Sequence, residues 1–303
     1  MIVSRSYFCN SFNRIVSSSH QNLIHSSNRP LIMAIINVTP DSFSDGGHYF
    51  STQRAIAHAK NLIEEGADIL DIGGESTRPG SQQVSIDEEL KRVIPVLEAL
   101  ANTQIPLSID TSKPAVMKHA IAAGAFMIND VNALRNPGAL EAVAQSNHVQ
   151  VCLMHMQGTP QTMQANPQYH DIIQEVKDFL QHRIQAATAA GIAKDRLVID
   201  PGFGFGKTLQ HNFTLLNRLD QLLDLGVPLL AGISRKSMLG AITGNSVDRR
   251  IHESIAAALL AVVKGAKIVR VHDVKATKEA LAIHNAMKNC TAPETNTSTS
   301  NRN

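Results

Sequence analysis

The sequence contains little cysteine and no long hydrophobic segment. Its three cysteines, Cys9, Cys152 and Cys290, are far apart, and no two of them form a CxxC pair. This spacing argues against a disulfide framework or a zinc knuckle and favours a reducing compartment, so we predict a cytoplasmic protein. No apolar run approaches the roughly 18 residues that a membrane-spanning helix needs, so we expect no membrane partner.

Acidic residues are missing from residues 1–30, which carry Arg5, Arg14 and Arg29. The whole chain has 28 basic and 26 acidic residues, so the remainder holds 25 basic against 26 acidic residues, a net charge of −1. A nearly neutral body argues against a nucleic-acid surface. The head has the composition of an organellar transit peptide, but the absence of a sustained amphipathic helix favours a partly irregular N-terminal extension. We predict that residues 289–303 form a disordered polar tail.

Eight short apolar runs recur between Leu31 and Lys288, each followed by a polar loop and an amphipathic helix. Near-continuous apolar runs are typical of parallel strands that are buried on both faces. A doubly wound open sheet uses the same alternation, but eight units in roughly 260 residues favour a closed (βα)8 TIM barrel. We therefore predict an α/β fold with one domain over residues 31–288. The predicted strands span 31–38, 68–74, 106–111, 126–131, 149–156, 196–200, 228–234 and 267–274.

Polar residues gather at the carboxyl ends of these runs, whereas the amino-terminal halves are mostly apolar. In a barrel of this type the functional site lies at the carboxyl face. A helix cap or a loop hydrogen bond would explain any one of these residues, but all eight runs show the pattern. The residues are Asn37, Asp71 with Glu75 and Arg78, Asp110, Asn129 with Asp130, His155, Asp200, residues 234–236, and Arg270 with His272 and Asp273.

One part of this set consists of hydrogen-bond acceptors. Asp110, Asn129 and Asp200 lie near strand ends, at the apolar floor of the predicted site. They suit a flat heterocycle with adjacent NH and NH₂ donors, because a carboxylate offers two coplanar oxygens. A ligand of that kind would supply the partners that buried carboxylates require.

A second part consists of cationic or donor groups. Arg78, Arg270 and His272, with Lys236 nearby, would converge on a phosphate or pyrophosphate group, which Arg contacts in a planar, bidentate manner. No metal-binding motif is present in the sequence. Mg²⁺ held by pyrophosphate oxygens needs only one or two protein oxygens, and Asn37 is the candidate.

Loops rich in Gly, Ser and Pro follow the first two strands, at residues 38–47 and 76–80. We interpret them as mobile lids. The stretch DPGFGFGKT at residues 200–208 suggests a nucleotide-binding phosphate loop, but Pro201 stands where that loop requires its first Gly, and proline has no amide to offer. The GxGxG spacing also fails the dinucleotide fingerprint. We therefore predict no nucleotide site here.

Eight motifs, taken in order, resemble those of the dihydropteroate synthase family, and the resemblance runs from Leu31 to about Met287. Ala34 stands where the family commonly has Gly, which is a small change. The motifs are INVTPDSFSDGG (36–47), DIGGESTRPG (71–80), SIDTSKP (108–114), INDV (128–131), CLMHMQGTP (152–160), DPGFGFGK (200–207), GISRKSMLG (232–240) and IVRVHDV (268–274).

The resemblance implies a transferase of folate biosynthesis. Such an enzyme joins 6-hydroxymethyl-7,8-dihydropterin diphosphate to 4-aminobenzoate, releases pyrophosphate and yields 7,8-dihydropteroate. It also implies Mg²⁺ as cofactor, small molecules as substrates, a homodimer, and sulfonamides as inhibitors.

The resemblance further implies roles for individual residues. Those that would hold the pterin are Asp110, Asn129, Asp200 and Lys236. Those that would hold the diphosphate are Asn37, Thr77, Arg78, Arg270 and His272, with Asn37 also on the Mg²⁺. Those that would line the aminobenzoate pocket are Thr77, Pro79, Phe205, Lys236 and Ser237, with the carboxylate at the start of the helix after strand seven. The residues expected to act in catalysis, without a covalent nucleophile, are Arg78, Lys236 and Arg270.

Three alternatives are open on the residues alone. An aldolase-type barrel would form a Schiff base at Lys236, but it leaves Asp110, Asn129 and Asp200 without a role; borohydride trapping with carbonyl substrates distinguishes it. A module that presents methyltetrahydrofolate to a corrinoid protein would keep the ring-binding acids, but it would not need Arg78, Arg270 and His272. A non-catalytic pterin carrier would release no pyrophosphate.

Overall fold

A computed structural model describes residues 22–38, 47–78 and 80–290, and in these ranges eight parallel strands alternate with helices. The strands are β1 (Leu31–Asn37), β2 (Ile69–Gly73), β3 (Leu107–Asp110), β4 (Met127–Asp130), β5 (Gln150–Met154), β6 (Leu197–Asp200), β7 (Leu230–Ala231) and β8 (Ile268–Val271). The helices are α1 (Leu23–Ser26), α2 (Gly47–Glu65), α3 (Ile86–Leu100), α4 (Pro114–Ala122), α5 (Ala139–Ala144), α6 (Ile172–Ala189), α7 (Leu209–Asn217), α8 (Ser237–Thr243), α9 (Ile251–Val263) and α10 (Val274–Asn289). Short 3-10 helices span Lys194–Arg196, Leu219–Leu225 and Val247–Arg249.

The strands close into a barrel. Parallel ladders join them in the order β6-β5-β4-β3-β2-β1-β8-β7. The gap between β6 and β7 is closed by an isolated bridge between Ile199 and Leu229, and the Ile199 amide donates to the Pro228 carbonyl at 2.9 Å. β7 is much shorter than its predicted run, 228–234, in part because Pro228 has no amide to donate to a ladder. The prediction of an α/β barrel with eight parallel strands is confirmed.

The core has two main layers, because successive side chains on a strand point to opposite faces. One layer packs between the strands and the surrounding helices and includes Ile32, Leu70 and Ile109. The other fills the amino-terminal half of the barrel interior. Ile24 of α1 packs into this interior layer and is only 1% exposed. The members of the interior layer are Ile24, Leu31, Met33, Ile69, Phe126, Met127, Cys152, Val198, Leu230 and Ile268.

The end of the predicted N-terminal extension is attached to the barrel. The Arg29 guanidinium donates to both oxygens of Asp68, at 2.8 and 2.6 Å, and the Lys267 ammonium donates to the Ser27 carbonyl. With the burial of Ile24, these contacts fix α1 beneath the barrel. The rest of the extension, and the polar tail from residue 291, lie outside the described residues.

Two helices begin at residue types that favour a helix N-terminus. Ser85 Oγ accepts from the Glu88 amide at 3.2 Å and caps α3, and Pro114 occupies the first position of α4, where a missing amide costs nothing. Among the described residues, no helix combines the length and apolarity needed to cross a bilayer.

Candidate active site

The barrel interior changes from apolar to polar toward its carboxyl end. On four strands, a polar side chain follows two residues after a member of the apolar interior layer, which places it on the same face of the strand. Because parallel strands share one direction, these side chains meet in a single layer. They are Asp71 on β2, Asn129 on β4, Asp200 on β6 and Arg270 on β8.

Arg270 connects the acids of this layer. Its Nε donates to Asp71 Oδ2 at 2.6 Å, and a terminal nitrogen donates to Asp110 Oδ2 at 2.8 Å. Asn129 Nδ2 donates to the same oxygen of Asp71 at 2.9 Å. Two of the three predicted ring-binding residues, Asp110 and Asn129, therefore belong to one network.

Asp110 of this network lies in an environment that disfavours its charged form. Burial raises the pKa of Asp110 to about 7, although the positive charge of Arg270 opposes the shift. Asp71 is fully buried, and its Oδ1 has no hydrogen-bond partner among the described residues. The site therefore holds more acceptor capacity than its own donors use.

Asp200 borders the same space. Its Oδ1 accepts from the Gly202 amide at 2.7 Å. A Cβ placed on Gly232 would lie 3.8 Å from both Asp200 Oδ2 and Arg270 Cβ. The side chains of Asp200 and Arg270 therefore both approach Gly232 and lie near each other. Burial raises the pKa of Asp200, and the charges of Lys236 and Arg270 lower it.

Lys236 is the second cation next to the acids. Its Nζ donates to the Phe203 carbonyl at 2.7 Å and lies 4.0 Å from the centroid of the Phe205 ring. Burial lowers the pKa of Lys236 to about 8, while the charge of Asp200 raises it. The ammonium therefore remains mostly protonated at neutral pH. Ser237, next in sequence, is exposed and begins α8.

His272 lies at the same end of the barrel. Burial lowers the pKa of His272 to about 4, and the charges of Arg235, Arg270 and Arg78 also lower it. Ser234 Oγ accepts from the His272 amide at 3.2 Å and lies 3.0 Å from Nδ1. The ring is therefore neutral at physiological pH.

The other predicted site residues within the described ranges also lie around the mouth of the barrel at this end. Asn37 is an exposed residue at the end of β1. Thr77 and Asp110 line a polar cavity of about 130 Å³. Pro79 and residues 39–46 of the first predicted lid lie outside the described residues, so the mobility of that lid stays a prediction.

Comparisons with known proteins agree with this geometry. Residues 33–272 match the protein family described as pterin binding enzyme. A dihydropteroate synthase from Neisseria meningitidis serogroup C is 54% identical over 263 residues, which cover 86% of this chain and 93% of that relative.

The chain belongs to the dihydropteroate synthase family. A dihydropteroate synthase from Xanthomonas albilineans, solved with 4-aminobenzoic acid, has a TM-score of 0.82 at 55% identity and covers 88% of this chain and 95% of its own. The enzyme from the same organism in complex with 7,8-dihydropteroate has a TM-score of 0.78 at 50% identity, with the same coverage. The chain is thus a transferase of this family, as its motifs predicted.

The loop after β6 shows why this family member carries DPGFGFGK without being a nucleotide-binding protein. Gly202 and Gly206 have positive φ angles of 69° and 61°. A Cβ at Gly202 would lie 1.9 Å from the His155 carbonyl oxygen, and one at Gly206 would lie 2.5 Å from that of Gln157. Both positions therefore require glycine.

The loop also differs from a phosphate loop in the backbone groups that it uses. A phosphate loop directs its amides at the ligand. Here the backbone carbonyls of residues 202–206 all accept hydrogen bonds from side chains. The donors, in the order of the carbonyls, are Lys207 Nζ, Lys236 Nζ, Gln164 Nε2, Lys207 Nζ and Tyr169 Oη.

Sequence reasoning gave no role to three residues of this family member. Asp71 had a visible signal, because it is a charged residue inside an otherwise apolar strand. Lys113 forms ion pairs with Glu75 and Glu89, which join the loop after β2 to the loop after β3. Lys207 was considered only as a phosphate ligand, and its actual partners are the carbonyls of Gly202 and Phe205 in its own loop and the His155 ring, 52 residues away.

Proposed function

We propose that this chain condenses 6-hydroxymethyl-7,8-dihydropterin diphosphate with 4-aminobenzoate to give 7,8-dihydropteroate and pyrophosphate. The observation that carries the proposal is a single network: Arg270 donates to Asp110 and Asp71, and Asn129 donates to Asp71. Asp200 and Lys236 lie beside it. The relatives solved with 4-aminobenzoic acid and with 7,8-dihydropteroate support it.

The pterin ring occupies the acid-lined interior in this proposal. Asp110, Asn129, Asp200 and Lys236 hold it. Asp200 uses Oδ1 for the Gly202 amide, which leaves Oδ2 to accept from the ring. Because burial raises the pKa values of Asp110 and Asp200, a ligand that donates N–H groups stabilises their charged forms.

The diphosphate binds at the mouth. Arg78 and Arg270 supply its positive countercharge, and Thr77 contributes a hydroxyl. His272 has a pKa of about 4, so it contributes a neutral N–H donor rather than a charge.

Mg²⁺ is proposed to bind between the diphosphate and Asn37. In the described ranges, no three His, Cys, Asp or Glu side chains lie close enough to hold a metal ion by themselves. An exposed amide oxygen at the end of β1 fits an ion whose other ligands are phosphate oxygens and water. When bound, the ion would neutralise charge on the leaving diphosphate.

The aminobenzoate pocket lies next to Lys236. Phe205 forms its apolar wall, Thr77, Pro79 and Ser237 complete it, and the carboxylate of the substrate lies near Ser237 and Lys236. The contact between the Lys236 ammonium and the Phe205 ring fixes a cation at the edge of this pocket.

The chemistry follows from the charges of the site. An arylamine is a weak nucleophile, whereas an electron-rich pterin ring can bear positive charge at its methylene carbon, so departure of the diphosphate runs ahead of attack. Arg78 and Arg270 stabilise the departing oxygens. We infer that no side chain forms a covalent adduct, because Lys236 Nζ donates to the Phe203 carbonyl and lies over the Phe205 ring, where it serves as a cation and hydrogen-bond donor.

The deciding experiment is an assay of the purified protein with the pterin diphosphate, 4-aminobenzoate and Mg²⁺. We expect pyrophosphate and 7,8-dihydropteroate in equal amounts. Binding of the pterin without release of pyrophosphate would indicate a carrier, and a borohydride-trapped adduct at Lys236 would contradict the non-covalent route.

Sulfonamides are expected to raise the apparent KM for 4-aminobenzoate and leave the maximal rate unchanged, because they imitate that substrate and would compete for the Phe205 pocket. The measurement is a set of initial rates at several fixed sulfonamide concentrations. Competition with the pterin diphosphate would contradict the assignment of the pocket.

A homodimer is expected in solution. The segment from α8 to α9 exposes large apolar side chains: Ile242 is 64%, Leu260 55% and Val263 60% exposed, as is typical of an interface. Leu260→Glu combined with Val263→Glu should convert the dimer to a monomer, as measured by light scattering. The control Lys118→Glu, at an exposed polar position on α4, should remain dimeric, and a wild-type monomer at micromolar concentration would contradict the prediction.

The two described cysteines, Cys152 and Cys290, are free thiols, which supports the proposed cytoplasmic location.

A further inference from the structure

Lys207 is a buried lysine that the proposed reaction does not use. Its side chain is only 3% exposed. Its Nζ lies 2.8 Å from His155 Nδ1 and donates to the carbonyls of Gly202 at 2.9 Å and Phe205 at 3.1 Å. An ammonium has three N–H donors, so these three acceptors satisfy it completely.

His155 is suited to accept from this ammonium. Burial, together with the charge of Lys207, lowers the pKa of His155 to about 2, so the imidazole is neutral. Burial lowers the pKa of Lys207 to about 7. When Lys207 is protonated, its Nζ has only donors to offer, so Nδ1 accepts and the ring proton lies on Nε2. The His155 amide donates to the Asp200 carbonyl at 2.9 Å, which fixes the imidazole to the end of β6.

The two carbonyls bound by Lys207 lie at the two ends of one turn. The Phe205 amide donates to the Gly202 carbonyl at 3.1 Å and closes this turn. Between its ends, the Phe203 carbonyl accepts from Lys236 Nζ at 2.7 Å. The Phe205 ring at its end lies 4.0 Å from the same ammonium. Lys207 thus holds the turn from inside the protein, and Lys236 contacts it from the substrate side.

We propose that Lys207 is a positioning residue for the aminobenzoate pocket: with His155 it fixes the turn of residues 202–205, and thereby the Phe205 wall and the acceptor that orients Lys236. This inference rests on the proposed function. Of the four proposed pterin ligands, Asp110 and Asn129 lie on other strands and do not contact the turn, whereas Asp200 accepts from the Gly202 amide and Lys236 donates to the Phe203 carbonyl. The apolar wall of the aminobenzoate pocket, Phe205, belongs to the turn itself. Loss of Lys207 should therefore affect one substrate more than the other.

The test is Lys207→Met in the full chain, with steady-state kinetics for each substrate separately. Methionine fills similar space but offers no hydrogen-bond donor. We expect the KM for 4-aminobenzoate to rise on the order of tenfold, because the turn that carries Phe205 loses its hydrogen bonds to a charged group. The KM for the pterin diphosphate should rise less, by no more than about threefold, because Asp110 and Asn129 keep their positions and Asp200 is held by β6.

A second variant decides the question if Lys207→Met does not fold. His155→Ala removes one of the three acceptors and should raise the KM for 4-aminobenzoate by about threefold, whereas His155→Asn, which restores an acceptor oxygen, should recover part of that loss. The matched control is Lys177→Met on α6, which removes an ion pair with the largely exposed Asp224. This control should leave both KM values unchanged.

Two results would overturn the inference. One is an equal rise of both KM values in the Lys207 or His155 variants. The other is an unchanged KM for 4-aminobenzoate together with a lower melting temperature, which would mean that Lys207 only stabilises the fold. If the wild-type protein forms no dihydropteroate, the proposed function fails instead, so the two failures are distinguishable.

Discussion

Replacing Asp200 with alanine is expected to weaken the binding of the pterin diphosphate by about 2–5 kcal/mol, or roughly 30- to 5,000-fold. The variant loses one side of a buried, charged hydrogen-bond pair and leaves the N–H donors of the ring without an acceptor. Titration calorimetry with the pterin diphosphate, in the absence of 4-aminobenzoate, measures the effect on the first substrate alone.

Two controls separate the ring contact of Asp200 from its structural role. Asp200→Asn keeps an oxygen for the Gly202 amide, which Oδ1 binds at 2.7 Å, but it removes the charge, so most of the affinity loss should persist. Asp195→Asn changes an exposed acid on the 3-10 helix before the same strand and should bind normally. Affinity near that of the wild type in Asp200→Ala would refute the placement of the pterin.

Replacing Arg270 with leucine is expected to lower the free energy of unfolding by about 3–5 kcal/mol at pH 8. Arg270 donates to Asp71 at 2.6 Å and to Asp110 at 2.8 Å, and its loss leaves two buried carboxylates without a cation. The rate of dihydropteroate formation should also fall by about 100-fold or more, because the leaving diphosphate loses a charged donor. Urea unfolding and initial rates measure the two effects.

The destabilisation should depend on pH. Burial raises the pKa of Asp110 to about 7, above its ordinary value of 3.8, so the folded state binds this proton more tightly than the unfolded state. The contribution of Asp110 to the free energy of unfolding is therefore present at low pH and is lost as the pH rises through about 7. Without Arg270, whose charge lowers that pKa, protonation extends to higher pH, and Arg270→Leu should lose less stability at pH 5.5 than at pH 8.

The matched control is Arg29→Leu. Arg29 also forms a two-point contact with a carboxylate, that of Asp68, but its side chain is 51% exposed. Its loss should cost about 1 kcal/mol or less at either pH. If Arg270→Leu behaves like this surface variant, the buried network is not a significant source of stability.

The strands were predictable because burial on both faces requires nearly continuous apolar sequence. Each predicted run contains the observed strand, from Leu31–Asn37 of β1 to Ile268–Val271 of β8. β7 differs most: seven residues were predicted and only Leu230–Ala231 pair in a ladder. Apolarity reports burial, whereas a ladder also requires donors in register, and Pro228 has none.

The candidate site was predictable as a set of residues but not as a set of contacts. Asp110, Asn129, Asp200, Lys236 and Arg270 were expected at one face, because parallel strands present their carboxyl ends together. The pairing of Arg270 with the acids was not expected, since Arg270 lies 199 positions from Asp71 and 160 positions from Asp110 in the sequence. Sequence spacing does not tell which acid a flexible guanidinium reaches.

The amino-acid sequence by itself determined the alternation of strands and helices, the face on which polar groups collect, and the family. These follow from local apolarity and from motifs within single segments. Only the tertiary structure decided that Asp71 completes the acid network and that Lys207 holds the turn beside Phe205. The first depends on distances between segments remote in the chain, and the second on the approach of His155 to a lysine 52 residues later; both approaches are set by the closure of the barrel.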